Sequence, residues 1–241
     1  MKGWEKDWFA PGELSGMNAL ALDTTTDRVS LAILKDGVPA ACRHELIGRE
    51  ANRSLLGLLE ELLSGAGLDI RELHLLVAAR GPGSFTGTRI GLAMAFTFAR
   101  AAGIPLAGVD TLRLLAAQAN PVEGQRFHSL LNCARNEVYH APYVIRDGLP
   151  HPGAEIRLDD IGALAQRIGA EPVLLKRLSG GITEEPYAGL NMLPARDAGH
   201  DGLRLLGLGL RDFLDAPAGS PPPAGPIYIK SEAFRTWRPP V

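Results

Sequence analysis

The hydrophobic and polar positions of the first half of the chain alternate between strand and helix patterns. Three short apolar runs separated by polar turns predict a unit of strand, hairpin and strand, at 19–22, 29–34 and about 40–45. Leucines at the spacing of one helix face predict an amphipathic helix around 55–62, and a continuous apolar run predicts a buried strand at 73–79. A glycine-rich loop, 81–87, then leads into a helix from about Thr88 to Ala102. Strands that alternate with helices predict an α/β fold.

The second half repeats this order more loosely. Its pattern predicts helices at 111–119, from a cap at Asp159 to about Ile168, and at 200–214, and strands near 129–134, 137–145, 172–175 and 227–230. An Arg146-Asp147-Gly148 turn predicts a further hairpin, and the prolines between 216 and 226 predict a stiff linker. We therefore expect an N-terminal extension, two related subdomains of roughly 100 residues each, and a C-terminal linker with a strand or tail, at 1–17, 18–110, 111–215 and 216–241.

Composition narrows the class of protein. The 241 residues are 46% hydrophobic and 22% charged, which is ordinary for a globular chain that buries its own core. The chain has 25 basic and 27 acidic residues, and this balance argues against a protein that binds nucleic acid by itself. Neither a signal-peptide pattern nor a membrane-length apolar run occurs, and Cys42 and Cys133 suit a reducing compartment. We therefore expect a cytoplasmic protein without membrane association, which reaches any nucleic acid through a partner.

The glycine-rich loop is a candidate anion site, because a loop that feeds a helix N-terminus can present backbone N–H groups to a phosphate. The residues that could form such a site are Asp23, Gly83, Ser84, Thr86 and Gly87. The loop has neither the lysine nor the glycine spacing of a Walker A motif, and β-branched Thr25 follows Asp23, so we expect weak or absent nucleotide affinity. The alternative interpretation is a tight strand-to-helix turn, with Asp23 and the threonines as turn formers.

Metal and hydrolase sites have little support in the sequence. The six histidines never recur at i, i+3 or i, i+4, and Cys42 with His44 would supply only two metal ligands. Ser84 lies in no G-x-S-x-G elbow, and the sequence pairs no histidine or aspartate with it. We therefore predict no catalytic residue and no metal site.

The helix after the loop has an unusual composition. From Ile90 to Ala99 it carries no charged residue, so it is apolar on every face and must be covered on two sides. Either the second subdomain buries its outer face or another chain docks there. For the docking interpretation we predict a partner interface of Leu56, Leu63, Arg89, Ile90, Ala93, Met94 and Thr97.

Six segments of the chain carry a family resemblance: ALALDTTT at 19–26, LLGLLEELL at 55–63, RGPGSFTGTRIGLA at 80–93, GIPLAGVDT at 103–111, ARNEVY at 134–139 and PIYIK at 226–230. They resemble the TsaB (YeaZ) family, the bacterial partner subunit of the machinery that makes threonylcarbamoyladenosine at position 37 of tRNAs. The strong resemblance covers about residues 18–120. Where many relatives read N-H-S before the first helix, this chain reads Ala51-Asn52.

The resemblance implies the actin-like ATPase (sugar kinase/Hsp70-type) fold, with two small related α/β subdomains, in a member that has lost its own catalytic site. It also implies action through a catalytic TsaD-like subunit, with a TsaE-like ATPase as the third component. The docking helices carried over from the family are about 52–63 and 88–102, and a similar surface can form a homodimer. ATP and metal are then expected on the partner subunits, and tRNA is reached only through the complex.

Two other functions stay open beside that of a non-catalytic partner subunit. Asp23 and the glycine loop motivate an ATP-dependent phosphotransferase of the actin-like fold. A weaker hypothesis is a glycoprotease-like peptidase with Ser84 as nucleophile, because some relatives carry a glycoprotease label.

Overall fold

Two β-sheets with the same order of strands form the framework of the molecule. The computed structural model describes residues 14–46, 51–119, 122–134, 136–177, 187, 189–194, 201–217 and 222–229. The first sheet contains β1 (Ala19–Asp23), β2 (Arg28–Lys35), β3 (Val38–Leu46), β4 (Leu75–Ala79) and β5 (Leu106–Val109), in the order β3-β2-β1-β4-β5. The second contains β6 (Arg126–Ala134), β7 (Glu137–Arg146), β8 (Leu149–Pro152), β9 (Arg157–Asp160), β10 (Pro172–Arg177) and β11 (Asn191–Met192), in the order β8-β7-β6-β10-β11, with β9 also paired to β7.

Strand directions repeat along with strand order. In the first sheet β1, β2 and β3 are antiparallel neighbours, whereas β4 is parallel to β1 and β5 to β4. In the second sheet β6, β7 and β8 are antiparallel, whereas β10 is parallel to β6 and β11 to β10. The two halves are therefore structural repeats, and the predicted α/β fold of two related subdomains is confirmed.

Helices cover both faces of each sheet. They are α1 (Ala51–Ala66), α2 (Phe85–Ala102), α3 (Thr111–Ala116), α4 (Ile161–Ile168) and α5 (Asp201–Asp215), with a short 3-10 helix at Ile70–Glu72. α1 and α2 lie on one face of the first sheet, and α5 lies on the other. α3 and α4 pack on opposite faces of the second sheet.

α5 comes from the second half of the sequence and packs on the first sheet. The predicted second subdomain, 111–215, includes this helix, because the prediction followed chain order. The first ten residues of α5 are all buried. A Cβ atom at Gly202 would lie 2.6 Å from Leu31 O, and one at Gly209 would lie 2.2 Å from Val77 Cγ1. These glycines, which weaken an isolated helix, here let α5 approach β2 and β4 closely.

Several predicted boundaries are corrected by local capping. α2 begins at Phe85 and not at Thr88, because the Ser84 side chain caps the helix. α4 is capped by Asp160 and not by Asp159, because the Asp160 side chain accepts from Gly162 N and Ala163 N, whereas that of Asp159 is bonded to His140. α3 ends at Ala116, three residues before the predicted end.

Other differences concern the strands and the two ends of the chain. β4 begins at Leu75, and the predicted strand at 227–230 is not formed over 227–229, while Lys230 lies outside the described residues. The short strands β5, β9 and β11 were not predicted. Leu14, within the predicted N-terminal extension, is buried in the core of the first sheet, and residues 1–13 lie outside the described residues.

Both predicted hairpins are confirmed. Asp36 and Gly37 have φ of 50° and 79°, and Asp147 and Gly148 have φ of 50° and 71°. Two successive residues of positive φ are what a two-residue turn between twisted strands requires, which explains the Asp-Gly pairs.

Candidate functional site

The glycine-rich loop packs directly against the turn between β1 and β2. Ser84 N donates to Thr25 O at 2.7 Å, and Thr24 Oγ1 donates to Gly87 O at 2.7 Å. A Cβ atom would lie 2.1 Å from Thr25 O at Gly83 and 2.0 Å from Thr24 O at Gly87, far closer than real Cβ contacts. Glycine is required here because two stretches of backbone touch, so the geometry favours the tight-turn interpretation of the loop.

The residues predicted for an anion site do not converge on one open position. Asp23 is buried, and its Oδ1 accepts hydrogen bonds from Thr25 N at 2.8 Å and Thr25 Oγ1 at 2.7 Å. Burial raises the pKa of this carboxyl group. Ser84 Oγ accepts from Gly87 N at 3.1 Å and so caps α2, a structural role that accounts for this serine without a catalytic one. Thr86 lies exposed on the outside of the helix.

A small cavity lies between the two sheets beside Asp23. Its volume is about 10 Å³, which is room for roughly one water molecule. Its polar lining comprises Asp23, Thr26, Thr111, Gln118, Lys176 and Asp201. A nucleoside triphosphate does not fit in this cavity, so the cavity itself gives the phosphotransferase hypothesis no support.

Asp201, the first residue of α5, connects the two halves of the chain across this cavity. Its Oδ1 accepts from Gln118 Nε2 at 2.7 Å and from Arg204 NH1 at 3.0 Å, and its Oδ2 lies 3.5 Å from Lys176 Nζ. Gln118 follows α3 and Lys176 lies in β10, whereas Arg204 is on the same helix as Asp201. Because α5 is packed on the first sheet, one buried carboxylate fixes the separation of both sheets.

α2 has a buried stripe and an exposed stripe. The buried stripe consists mainly of small residues: Gly87, Thr88, Gly91, Leu92, Ala95 and Ala99. The exposed stripe comprises Phe85, Thr86, Arg89, Ala93, Phe96, Thr97 and Arg100, with Ile90 and Met94 half-buried at its border. Within the described residues, Tyr228 contacts the stripe at Phe85 and Arg89, and the stripe nevertheless stays largely exposed. The outer face of an almost uncharged helix is therefore open to contact.

α1 adds apolar residues on the same side of the sheet. Leu55, Leu59 and Leu62 are buried, as their spacing predicts, whereas Leu56 is 44% exposed and Leu63 is half-buried. We call the combined surface the outer face; it comprises Leu56, Leu63, Phe85, Arg89, Ile90, Ala93, Met94, Phe96 and Thr97. It contains all seven residues of the predicted partner interface, and their role as an interface stays a prediction.

Two aromatic residues of the outer face were missed in the sequence. Phe85 is 58% exposed and Phe96 is 47% exposed. Phe85 precedes the predicted start of α2; recognition of Ser84 as an N-cap would have placed it in the first turn. Phe96 then falls on the same stripe, because residues 85, 89, 93 and 96 follow one another at helical spacing.

Two general features complete the description of the site. Among the residues that the structure describes, no cluster of three or more histidine, cysteine, aspartate or glutamate side chains could hold a metal ion. Across the same residues, none of the helices has the length and apolarity needed to span a bilayer.

Comparison with known protein families shows to which family the chain belongs. A sequence model of the family described as "TsaD: tRNA N6-adenosine threonylcarbamoyltransferase" matches residues 45–184, more than half of the chain. The chain belongs to this family.

Individual relatives within the family carry the TsaB name. The tRNA threonylcarbamoyladenosine biosynthesis protein TsaB of Escherichia coli is 37% identical over 128 residues, which are 53% of this chain and 55% of that protein. The protein of the same name from Haemophilus influenzae is 25% identical over 235 residues, 93% of this chain and 98% of that protein. The matched region thus spans about half of the first relative and nearly all of the second. The resemblance to the TsaB (YeaZ) family is confirmed.

A solved structure of similar fold supports the architecture. YeaZ from Pseudomonas aeruginosa has a TM-score of 0.65 and 23% identity, and the likeness covers 88% of this chain and 100% of that one. At this identity the likeness concerns the fold alone. It agrees with the predicted arrangement of two α/β subdomains, and the actin-like character of the fold stays a prediction.

The contact between Gly87 and Thr24 yields a first prediction. Gly87→Ala is expected to lower the free energy of unfolding by about 2–3 kcal/mol, because its Cβ would meet a backbone oxygen that cannot move away alone. Gly57→Ala is the matched control: Gly57 is also helical, and a Cβ there meets nothing within 4 Å. The control is expected to gain about 0.5–1 kcal/mol from helix propensity. Urea unfolding measures both, and a Gly87→Ala protein as stable as the wild type would contradict the packing described.

The buried Asp23 carboxyl group yields a second prediction. Asp23→Asn keeps an oxygen acceptor for both bonds from Thr25 while it removes a desolvated charge. Because burial raises the folded-state pKa above its usual value of 3.8, ionisation at higher pH costs the wild type stability. The melting temperature of the variant is therefore expected to exceed that of the wild type at pH 7, by a margin that shrinks towards pH 4.

Thermal unfolding followed by circular dichroism at both pH values makes this comparison. Thr25→Val, which removes the hydroxyl donor to Asp23, serves as a control and is expected to lower the melting temperature. If the Asp23→Asn protein is less stable than the wild type at pH 7, the negative charge of the Asp23 carboxylate is needed for stability.

Proposed function

We propose that this chain is the non-catalytic partner subunit of the tRNA adenosine(37) threonylcarbamoyltransferase complex, and that it docks on a TsaD-like subunit through the outer face. The observation that carries the proposal is the exposed apolar stripe of α2, beside a cleft whose cavity is about 10 Å³. The names of the relatives, tRNA threonylcarbamoyladenosine biosynthesis protein TsaB, supply the reaction in which such a subunit takes part.

The physical chemistry of the outer face supports protein docking. Leu56, Phe85 and Phe96 expose large apolar side chains on the two helices that cover one face of the first sheet, and exposed apolar surface on soluble proteins marks interaction sites. A standard interface buries about 800 Å² on each partner. α2 alone is about 27 Å long at 1.5 Å per residue, so together with α1 it offers a surface of this size.

The family resemblance implies a division of labour, which is part of the proposal. The subunit supplies a rigid docking surface, while the TsaD-like partner carries the metal and performs the transfer, and a TsaE-like ATPase binds ATP. tRNA is reached through the assembled complex in the cytoplasm. In the absence of the partner, a second copy of the chain can cover the same outer face as a homodimer.

An arginine placed in the middle of the outer face tests this proposal. Ala93→Arg is expected to weaken association with the TsaD-like subunit by about 100-fold or more, because the interface would bury an unpaired charge. The control is Ala163→Arg, which makes the same change at an exposed position of α4 on the other half of the molecule. Both variants are expected to keep the wild-type melting temperature.

The measurement is co-expression with the host's TsaD-like subunit, followed by affinity capture, size-exclusion chromatography and an assay of modified nucleosides in tRNA. The wild type and Ala163→Arg are expected to co-purify and to support modification, whereas Ala93→Arg does neither. Equal capture of Ala93→Arg would overturn the role of the outer face.

Nucleotide binding separates this function from that of a phosphotransferase. Isothermal titration of the isolated chain with Mg-ATP is expected to give no heat of micromolar binding, because the cavity beside Asp23 holds about one water molecule. Micromolar binding that is lost in Asp23→Asn would favour the phosphotransferase hypothesis.

A further inference from the structure

A short C-terminal segment lies across the carboxyl ends of β4 and β5 and reaches the first turn of α2. We call residues 222–229 the strap. Ile227 N donates to Arg80 O at 2.8 Å, directly after β4. At Gly108 in β5, a Cβ atom would lie 2.4 Å from Pro223 O, so the strap touches the strand backbone. These contacts hold the strap in place and bring Tyr228 beside the outer face.

Tyr228 and Phe85 hold the Arg89 side chain between them. The Arg89 guanidinium carbon lies 3.7 Å from the centre of the Phe85 ring and 5.6 Å from that of Tyr228. Arg89 Nε donates to Tyr228 Oη at 3.1 Å, and the two ring centres are 5.7 Å apart. All three side chains are exposed, with Phe85 at 58% and Tyr228 at 48%. A long surface side chain is thereby held in one conformation.

The charge of Arg89 is not balanced within the described residues. Its contacts there are two aromatic rings and a neutral hydroxyl, and no carboxylate of those residues forms an ion pair with it. The two rings pack against the planar guanidinium, and the hydroxyl accepts a hydrogen bond from one of its N–H groups. Neither contact supplies a negative charge to compensate the positive charge of the guanidinium.

Resting on the proposed function, we infer that Arg89 is the charged anchor of the outer face and pairs with a carboxylate of the docked subunit. Phe85 and Arg89 lie on the same exposed stripe as Ala93 and Phe96, so a partner that covers the stripe also covers the guanidinium. A buried guanidinium without a counter-charge strongly opposes association. The partner therefore presents an apolar helical surface with an aspartate or glutamate opposite Arg89.

The strap makes Tyr228 a positioning residue for this contact. Binding normally loses the rotamer entropy of a flexible arginine, and a side chain already held between two rings loses less. Planar arginine can also bind a carboxylate through two parallel bonds, which lysine cannot. Arg100, at the other end of the same stripe, is also exposed but forms no such stack among the described residues.

Kinetic binding measurements test the inference on the full chain and the purified TsaD-like subunit. Arg89→Ala is expected to raise Kd at least tenfold, mainly through a faster dissociation rate, whereas the control Arg157→Ala, at an exposed position of β9 in the second sheet, stays within about twofold. Arg89→Lys is expected to recover only part of the loss. Tyr228→Phe, which keeps the ring and removes the hydroxyl, is expected to raise Kd severalfold in the wild type and to have no effect in an Arg89→Ala background.

The outcomes separate the two proposals. If the wild type does not bind the subunit, the proposed function fails. If the wild type binds and Arg89→Ala behaves like Arg157→Ala, the docking function stands and the anchor inference is overturned. If Arg89→Glu abolishes binding and an acidic-to-lysine change in the partner restores it, the pairing with a carboxylate is established. Wild-type melting temperatures for the variants exclude a folding defect as the cause.

Discussion

The contact between the β1–β2 turn and the first turns of α2 is the constraint on which the rest of the molecule depends. Gly83, Gly87 and Gly91 recur every fourth residue, and a side chain on any of them would collide with Thr24 or Thr25. Because only the glycine side of α2 can approach Thr24 and Thr25 this closely, the orientation of α2 about its own axis is fixed. The stripe that begins at Phe85 and Arg89 must then point away from the sheet.

The same contact closes the place where a nucleotide would have to approach. The Ser84 N–H group donates to Thr25 O, and Asp23 Oδ1 accepts from Thr25. On the other side of the cavity, Asp201 bonds Gln118 and lies near Lys176. The engaged loop and the exposed stripe of α2 are thus two consequences of one packing arrangement, which suits the proposed docking role.

Local sequence patterns were sufficient to predict much of the secondary structure. The features that were not predicted depend mainly on contacts between residues far apart in the chain. The leucine spacing of α1, the Asp-Gly hairpins and the apolar β4 each depend on neighbours within a few residues, so they were predictable. The packing of α5 on the first sheet was not predictable in this way, because only tertiary structure brings Gly202 to β2. The short strands β5, β9 and β11 give too few alternating positions for a period to appear. Tyr228 lies 139 residues from Arg89 in the sequence, so no local pattern could join them.

The internal repeat supplies a control for the meaning of the outer face. In chain order, α4 follows the hairpin strands of the second sheet and precedes β10. α1 has the same place in the first half, after the hairpin strands and before β4. α4 also buries one stripe, with Leu164 and Ile168, but its exposed side carries Gln166 and Arg167. The fold therefore does not by itself require apolar residues on the outside of these helices. Because a polar outer side exists on α4, the counterpart of α1 in the same chain, the exposed Leu56 of α1 is better explained by a partner than by the architecture.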